Sequence, residues 1–122
     1  MTNYAFAMPL LPGKTEAWKG YVKEMKGNRS EEYSACMRRS GLNQEQVWLQ
    51  QTPKGDLCVV CWETENPNKV FEHFMKSNEP YEKWFREKIL TECHGLKSGD
   101  PIPPMNTQII DNKNLVGEKV HR

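Results

Sequence analysis

The chain has 122 residues, and its 17 Lys and Arg residues nearly balance 16 Asp and Glu residues, for a formal net charge of +1. This length suits one domain with a single core, and the charge balance provides no basic excess for holding a nucleic-acid backbone. The longest apolar run, residues 4–11, is too short to span a bilayer. It also lacks the basic leader and small-residue cleavage site of a signal peptide. We therefore expect a cytoplasmic protein with no nucleic-acid or membrane partner.

The first third of the chain predicts one strand followed by two helical segments. Residues 3–11 form an apolar run typical of a strand, with Pro9 near its end because proline cannot donate to a ladder. Thr15 is a candidate cap for a helix whose apolar residues recur at helical spacing. Gly27 interrupts that helix. Ser30 then caps a second segment, which we expect to end at Gly41.

The rest of the chain predicts a hairpin, further helices and a last strand. Residues 53–55 are a short loop between the hairpin strands. Asn66 and Pro67 start a helix, since a capping side chain precedes proline at the first helical position. Gly95 ends the last helical segment. Residues 1–111 are thus the domain and residues 112–122 a polar tail. The three later strands are expected over residues 44–52, 57–64 and 107–111.

This element order, β-α-β-β-α-β, predicts an α+β ferredoxin-like fold with a four-stranded antiparallel sheet. The first and third strands would be central. A sheet with helices on one face and water on the other alternates apolar and polar side chains. Residues 4–11 and 57–62 do not alternate, so both faces of the central strands require cover. Helices cover one face, and a second copy of the sheet is the simplest cover for the other. We therefore expect a homodimer.

The four cysteines are expected to be free thiols packed as small apolar groups. Cys58 and Cys61 form a C-x-x-C pattern, which is also found at zinc and redox sites. A spacing of three along a strand places their sulfur atoms on opposite faces. The sequence shows no second cysteine pair and no His and carboxylate pair at metal-ligand spacing, so no metal is predicted.

Two tryptophans of the hairpin suggest a binding surface. A three-residue loop at 53–55 places Trp48 opposite Val60 and Gln46 opposite Trp62. Trp48, Trp62, Gln46 and Gln50 then share one face, whose indoles and amides suit a flat organic ligand. The alternative is core or dimer packing, and a bulge would shift the register.

The sequence resembles the dimeric α/β-barrel superfamily, in particular its branch of antibiotic-biosynthesis-monooxygenase-like proteins. The similarity in element order covers residues 3–111. Its local part is the strand end Val59-Val60-Cys61-Trp62, a helix with Phe71, His73 and Phe74, and then Ser77 and Tyr81. The stretch from 47–50 through Gly55-Asp56 to Trp84-Phe85-Arg86 is similar to bacterial proteins of this fold. The resemblance implies a dimeric barrel with a pocket between sheet and helices in each subunit.

His73 is the residue that this resemblance favours as catalytic. It lies at the edge of an apolar helix face, where a histidine serves as a general base, as an axial ligand to haem, or as a boundary residue of the core. Tyr4 matches the position at which some of these monooxygenases hold the substrate. His94, before a helix-ending glycine, is expected to be a surface partner of the helix dipole.

Two functions follow as hypotheses. The first is a cofactor-independent monooxygenase or isomerase acting on a small aromatic or quinone-like compound, since the sequence carries no dinucleotide or phosphate-binding motif. The second is a non-catalytic, ligand-binding or stress-associated dimer, because the sequence reveals no second acid–base residue beside His73.

Overall fold

The computed structural model describes residues 2–97 and 99–113. Within these residues the chain forms an α+β fold with a three-stranded antiparallel sheet and helices. The strands are β1 (Thr2–Pro9), β2 (Leu42–Thr52) and β3 (Gly55–Thr64). The helices are α1 (Thr15–Lys26), α2 (Ser30–Ser40), α3 (Pro67–Lys76), α4 (Pro80–Phe85) and α5 (Arg86–Cys93), the last with π-type hydrogen bonding.

The predicted helix boundaries are confirmed at the positions where a local interaction sets them. Gly41 ends α2 with a φ of 81°, a left-handed conformation that favours glycine. Asn66 caps α3, and its side chain accepts a hydrogen bond from the amide of Lys69 at 3.2 Å. Thr15 is not a cap, because its hydroxyl donates instead to Asp56 at 2.6 Å. That bond ties the start of α1 to the hairpin.

The sheet has the strand order β1-β3-β2, and its two faces differ. One face, the helix face, packs against the helices through side chains that alternate along each strand. Its buried apolar members from β1 and β3 are Phe6, Met8, Cys58, Val60 and Trp62. The other face, the open face, carries the residues between them, including Ala5, Val59 and Cys61. Cys58 and Cys61 thus lie on opposite faces as predicted, and all four cysteines are free thiols.

The described residues correct the expected fourth strand. Residues 107–111 form no strand, so β1 is an edge of the described sheet rather than a central strand. The chain nevertheless reaches this edge just before that segment, where the amide of Asn106 donates to the carbonyl of Ala5 at 2.7 Å. Ile109 and Ile110 follow with 89% and 69% of their surface exposed. Most of the predicted tail, residues 114–122, lies outside the described residues.

The predicted register of the hairpin is also wrong. Thr52 pairs with Gly55, so the loop is the two residues Pro53 and Lys54 rather than three. Trp48 then stands opposite Val59, and Trp62 stands opposite Glu45. A shift of one residue moves each side chain of a strand to the other face. Trp48 and Trp62 therefore lie on opposite faces of the sheet.

Candidate functional site

The structure separates the residues that were predicted to form one site. Trp62 is buried on the helix face, with Tyr4 opposite it on β1 and half-buried. Trp48 lies on the open face with 52% of its surface exposed. Gln46 and Gln50 are exposed on the same face of β2 as Trp48. The predicted face with two indoles and two amides is therefore not formed within one chain.

A different cavity lies between the helix face and the helices. Its free volume is about 50 Å³, and one of its lining residues, Val47 on β2, is 41% exposed. The wall is almost entirely apolar and includes Trp18, Trp62, Met8 and Met25. A carboxyl group and an imidazole also belong to this wall, from Glu45 on β2 and from His94 in the turn after α5. The remaining lining residues are Phe6, Val22, Val47, Cys58, Val60, Phe71, Phe74, Phe85, Ile89 and Leu90.

Glu45 is held by two donors. The hydroxyl of Tyr33 on α2 donates to Oε1 at 2.6 Å, and Nε1 of Trp62 donates to Oε2 at 2.7 Å. Burial raises the pKa of Glu45, and these two hydrogen bonds act in the opposite direction because they stabilise the ionised form. The shift remains upward, so the structure favours the protonated acid more strongly than water does.

His94 is placed by the end of β1. The carbonyl of Pro9 lies 2.8 Å from Nδ1, and since a carbonyl can only accept, Nδ1 carries the proton and Nε2 is the basic nitrogen. A backbone hydrogen bond from Leu11 to Cys93 at 2.8 Å fixes the same junction. Burial lowers the pKa of His94, although the bond to Pro9 opposes this change. The histidine that was expected to be a surface dipole partner is thus a neutral base in the cavity wall.

Neither residue was singled out from the sequence as a site residue. Glu45 lies in the run Gln44-Glu45-Gln46, which looks like uniformly polar strand surface. Only the correct register shows that Glu45 shares its face with Trp62. The alternation of Glu45 with Val47 and Leu49 was the available signal, since it places one acid in an otherwise apolar series. His94 required knowledge of the packing between α5 and β1.

His73 lies outside this cavity lining, in a separate polar cluster between α2, α3 and α4. Its Nε2 is 2.5 Å from Oε2 of Glu82, whose side chain is fully buried. Arg39 donates to both oxygens of Glu82, with Nε at 3.0 Å and a terminal nitrogen at 2.6 Å. Cys36, also buried, offers a sulfur within 4.8 Å of the ligand atoms of His73 and Glu82. The partner of His73 that the sequence did not reveal is therefore Glu82.

Charge in this cluster is balanced by direct contact. Burial by itself raises the pKa of Glu82, but the hydrogen bonds from Arg39 and His73 outweigh it and lower the pKa. Glu82 is consequently an ionised carboxylate. Burial and the neighbouring carboxylate raise the pKa of Cys36, so its thiol is neutral.

The surroundings of His73 do not fit a haem. The cleft beside it is lined by Arg39, Lys69, Glu72, Lys76 and two serines, Ser40 and Ser77. A porphyrin needs an apolar slot, whereas this cleft is lined by charged and polar side chains. We therefore derive no step through a haem.

Comparison with protein-family models and with curated proteins gives no relative on which to base a function. No protein-family model matches the chain, and no curated protein matches it either. No helix among the described residues is long and apolar enough to cross a membrane.

Proposed function

We propose that the protein is a cofactor-independent isomerase that moves a proton within a small aromatic or quinone-like compound. The observation that carries this proposal is that a carboxyl group and an imidazole line one apolar cavity, where burial favours the neutral form of both. A carboxyl group with a raised pKa and an imidazole with a lowered pKa can act together as general acid and general base. The same fold class supports our proposal that the chain belongs to the dimeric α/β-barrel superfamily.

The two groups suit proton transfer next to a carbonyl. Nε2 of neutral His94 removes a proton from the carbon beside the carbonyl while protonated Glu45 donates its proton to the carbonyl oxygen. The product is an enol, with an imidazolium at His94 and a carboxylate at Glu45. Return of a proton from His94 to a different carbon, and of the enol proton to Glu45, completes the isomerisation and restores both groups. Tyr33 and Trp62 stabilise Glu45 while it is ionised.

The size of the cavity restricts the substrate. Its volume of about 50 Å³ is below the 300 Å³ typical of ligand sites. Ligand entry therefore requires wall side chains to move, and Met8 and Met25 are flexible residues suited to this. We infer a substrate of one ring, with a carbonyl or hydroxyl directed at Glu45.

Conversion of cyclohex-3-enone to its conjugated isomer, followed by ultraviolet absorbance, tests the proposal. Small cyclic β,γ-unsaturated ketones and hydroquinones extend the panel, with proton exchange in D₂O as readout. Loss of one general acid or base typically costs 10²–10⁴-fold in rate, so we expect about a 10²-fold decrease for Glu45→Gln and for His94→Asn. His73→Ala is the matched control and retains the rate. Equal rates in wild type and in Glu45→Gln across the panel would refute the acid–base role.

The small volume favours a second candidate, a non-catalytic ligand-binding dimer. In this case the cavity accepts a small apolar molecule, and Glu45 only orients it. Saturable quenching of tryptophan fluorescence by benzoquinone analogues, without any turnover in the panel, would support it. Both candidate functions therefore predict ligand binding, and only the isomerase predicts turnover.

We also propose a homodimer through the open face, giving a dimeric α/β barrel with a four-stranded sheet in each subunit. The open face presents Trp48, Val59 and Cys61, and the helices of the described residues pack on the other face of the sheet. The free edge of β1, where Asn106 already bonds Ala5, provides the place for residues 107–111 as a fourth strand. Pairing there in the dimer would bury Ile109 and Ile110.

A further inference from the structure

We propose that Cys36, His73 and Glu82 form a binding site for a thiophilic divalent cation such as Zn²⁺. The three residues come from α2, α3 and α4, and each offers one ligand atom. A sulfur, an imidazole nitrogen and a carboxylate oxygen make a donor set that suits zinc, with the fourth position open to water. The site is distinct from the cavity with Glu45, so it goes beyond the proposed isomerase.

The spacing of the ligand atoms allows a single ion to reach all three. They lie within 4.8 Å of one another, and a tetrahedral zinc site with normal bond lengths requires separations of about 3.5 Å. The Cys36 sulfur would have to move by about 1 Å toward the ligand atoms of His73 and Glu82, and a movement of its side chain suffices for this. Nε2 of His73 and Oε2 of Glu82, now 2.5 Å apart, would separate to about 3.2 Å around the ion.

Metal binding changes the protonation of Cys36 and His73. The Cys36 thiol loses its proton to solvent as the sulfur–metal bond forms. The proton of the neutral His73 imidazole moves from Nε2 to Nδ1 through solvent, which leaves the lone pair of Nε2 for the metal. Arg39 keeps its 2.6 Å bond to Oε1 of Glu82 and becomes the outer partner that orients the ligating carboxylate. His73, whose side chain is 21% exposed, provides the route from solvent.

A second observation points to a missing group here. The hydroxyl of Tyr81 is buried and has no hydrogen-bond partner among the described residues. A buried polar group without a partner is rare and requires an explanation. Tyr81 directly precedes the ligand Glu82 on α4. A water on the fourth position of the metal would supply its partner.

Titration of the full chain with Co²⁺ tests the site. We expect one ion per chain, with visible bands of a tetrahedral site and a sulfur-to-cobalt charge-transfer band that Zn²⁺ abolishes. Cys36→Ala should remove the charge-transfer band, whereas Cys58→Ala and Cys93→Ala, which also change buried cysteines, should keep it. His73→Ala should weaken binding at least tenfold.

The expected pattern is specific to this site. Absence of tetrahedral bands in wild type, or their persistence in Cys36→Ala, would overturn the proposal. If Cys36→Ala does not fold, as judged by circular dichroism, His73→Ala decides, because His73 is partly exposed, and unchanged affinity in it would overturn the proposal. Isomerase activity plays no part in these readouts, so failure of the metal site and failure of the proposed function are distinguishable.

Discussion

The indole of Trp62 donates a hydrogen bond to the carboxyl group of Glu45 across the β2–β3 ladder, at 2.7 Å. Tyr33 completes the arrangement from α2 at 2.6 Å. A half-buried acid with two donors differs from an acid left bare in a core, because each donor lowers the cost of ionisation. The arrangement keeps Glu45 available both as an acid and as a carboxylate.

Tyr33→Phe is expected to destabilise the protein by about 1 kcal/mol, the usual net contribution of an intramolecular hydrogen bond. It removes a donor that stabilises ionised Glu45, so the pKa of Glu45 should rise further. Urea unfolding at neutral pH measures the stability change. Tyr21→Phe is the matched control, since its hydroxyl bonds Glu92 at 3.0 Å in a more exposed place, and it should cost less. Equal costs would contradict this role of Tyr33.

The pH dependence of stability should carry the signature of Glu45. Its folded-state pKa lies above the unfolded value, so the folded state binds more protons between the two values. The contribution of Glu45 to stability is present at low pH and is lost as pH rises through the folded-state pKa. Glu45→Gln removes this loss, and the unfolding free energy of the variant should fall less than that of wild type as pH rises from 4.5 to neutrality. Parallel pH profiles for the two proteins would contradict the raised pKa.

Several features of the fold follow from local sequence, and the register shows where local reasoning fails. Asn66 and Gly41 act through groups within a few residues, so their roles can be read from the sequence. Pro53-Lys54-Gly55 is compatible with loops of two or three residues, and this choice exchanges the two faces of β2. Because the loop was predicted one residue too long, Trp48 was placed on the wrong face of the sheet and Glu45 was not recognised as a site residue.

The cluster at Glu82 could not be predicted for a different reason. Arg39 and Glu82 are 43 positions apart, and no periodic pattern relates them. The helical spacing predicted that His73 borders an apolar face, but its partner depends on how α3 and α4 pack. The sequence therefore identified one member of the cluster but not its chemistry.

Arg39→Met should destabilise the protein by about 3–5 kcal/mol, because it leaves the fully buried carboxylate of Glu82 without its main cation. Arg38→Met is the matched control. Arg38 directly precedes Arg39 on α2 and is exposed, so its replacement should change stability by no more than about 0.5 kcal/mol. Thermal or urea unfolding of the three proteins measures the difference. Similar stabilities for both variants would show that Glu82 does not need Arg39.

Trp48→Glu should convert the proposed dimer to a monomer. Trp48 is exposed on the open face, so in an isolated chain its replacement should cost little stability. In a dimer the glutamate would bury an unpaired charge in the interface, which is strongly unfavourable. Sedimentation equilibrium at micromolar concentration should give twice the chain mass for wild type and the chain mass for the variant.

Gln51→Glu provides the control for added charge, because Gln51 is exposed on the same strand but its side chain belongs to the opposite face. This variant should remain dimeric. A monomeric wild type would contradict the proposed dimer outright, while a dimer unaffected by Trp48→Glu would exclude the open face as its interface. Ile109→Glu then tests whether residues 107–111 contribute to the dimer in addition to the open face of the sheet. Ile109 is 89% exposed in the isolated chain, so any weakening of the dimer by this substitution must come from contacts that residues 107–111 make only in the assembled form.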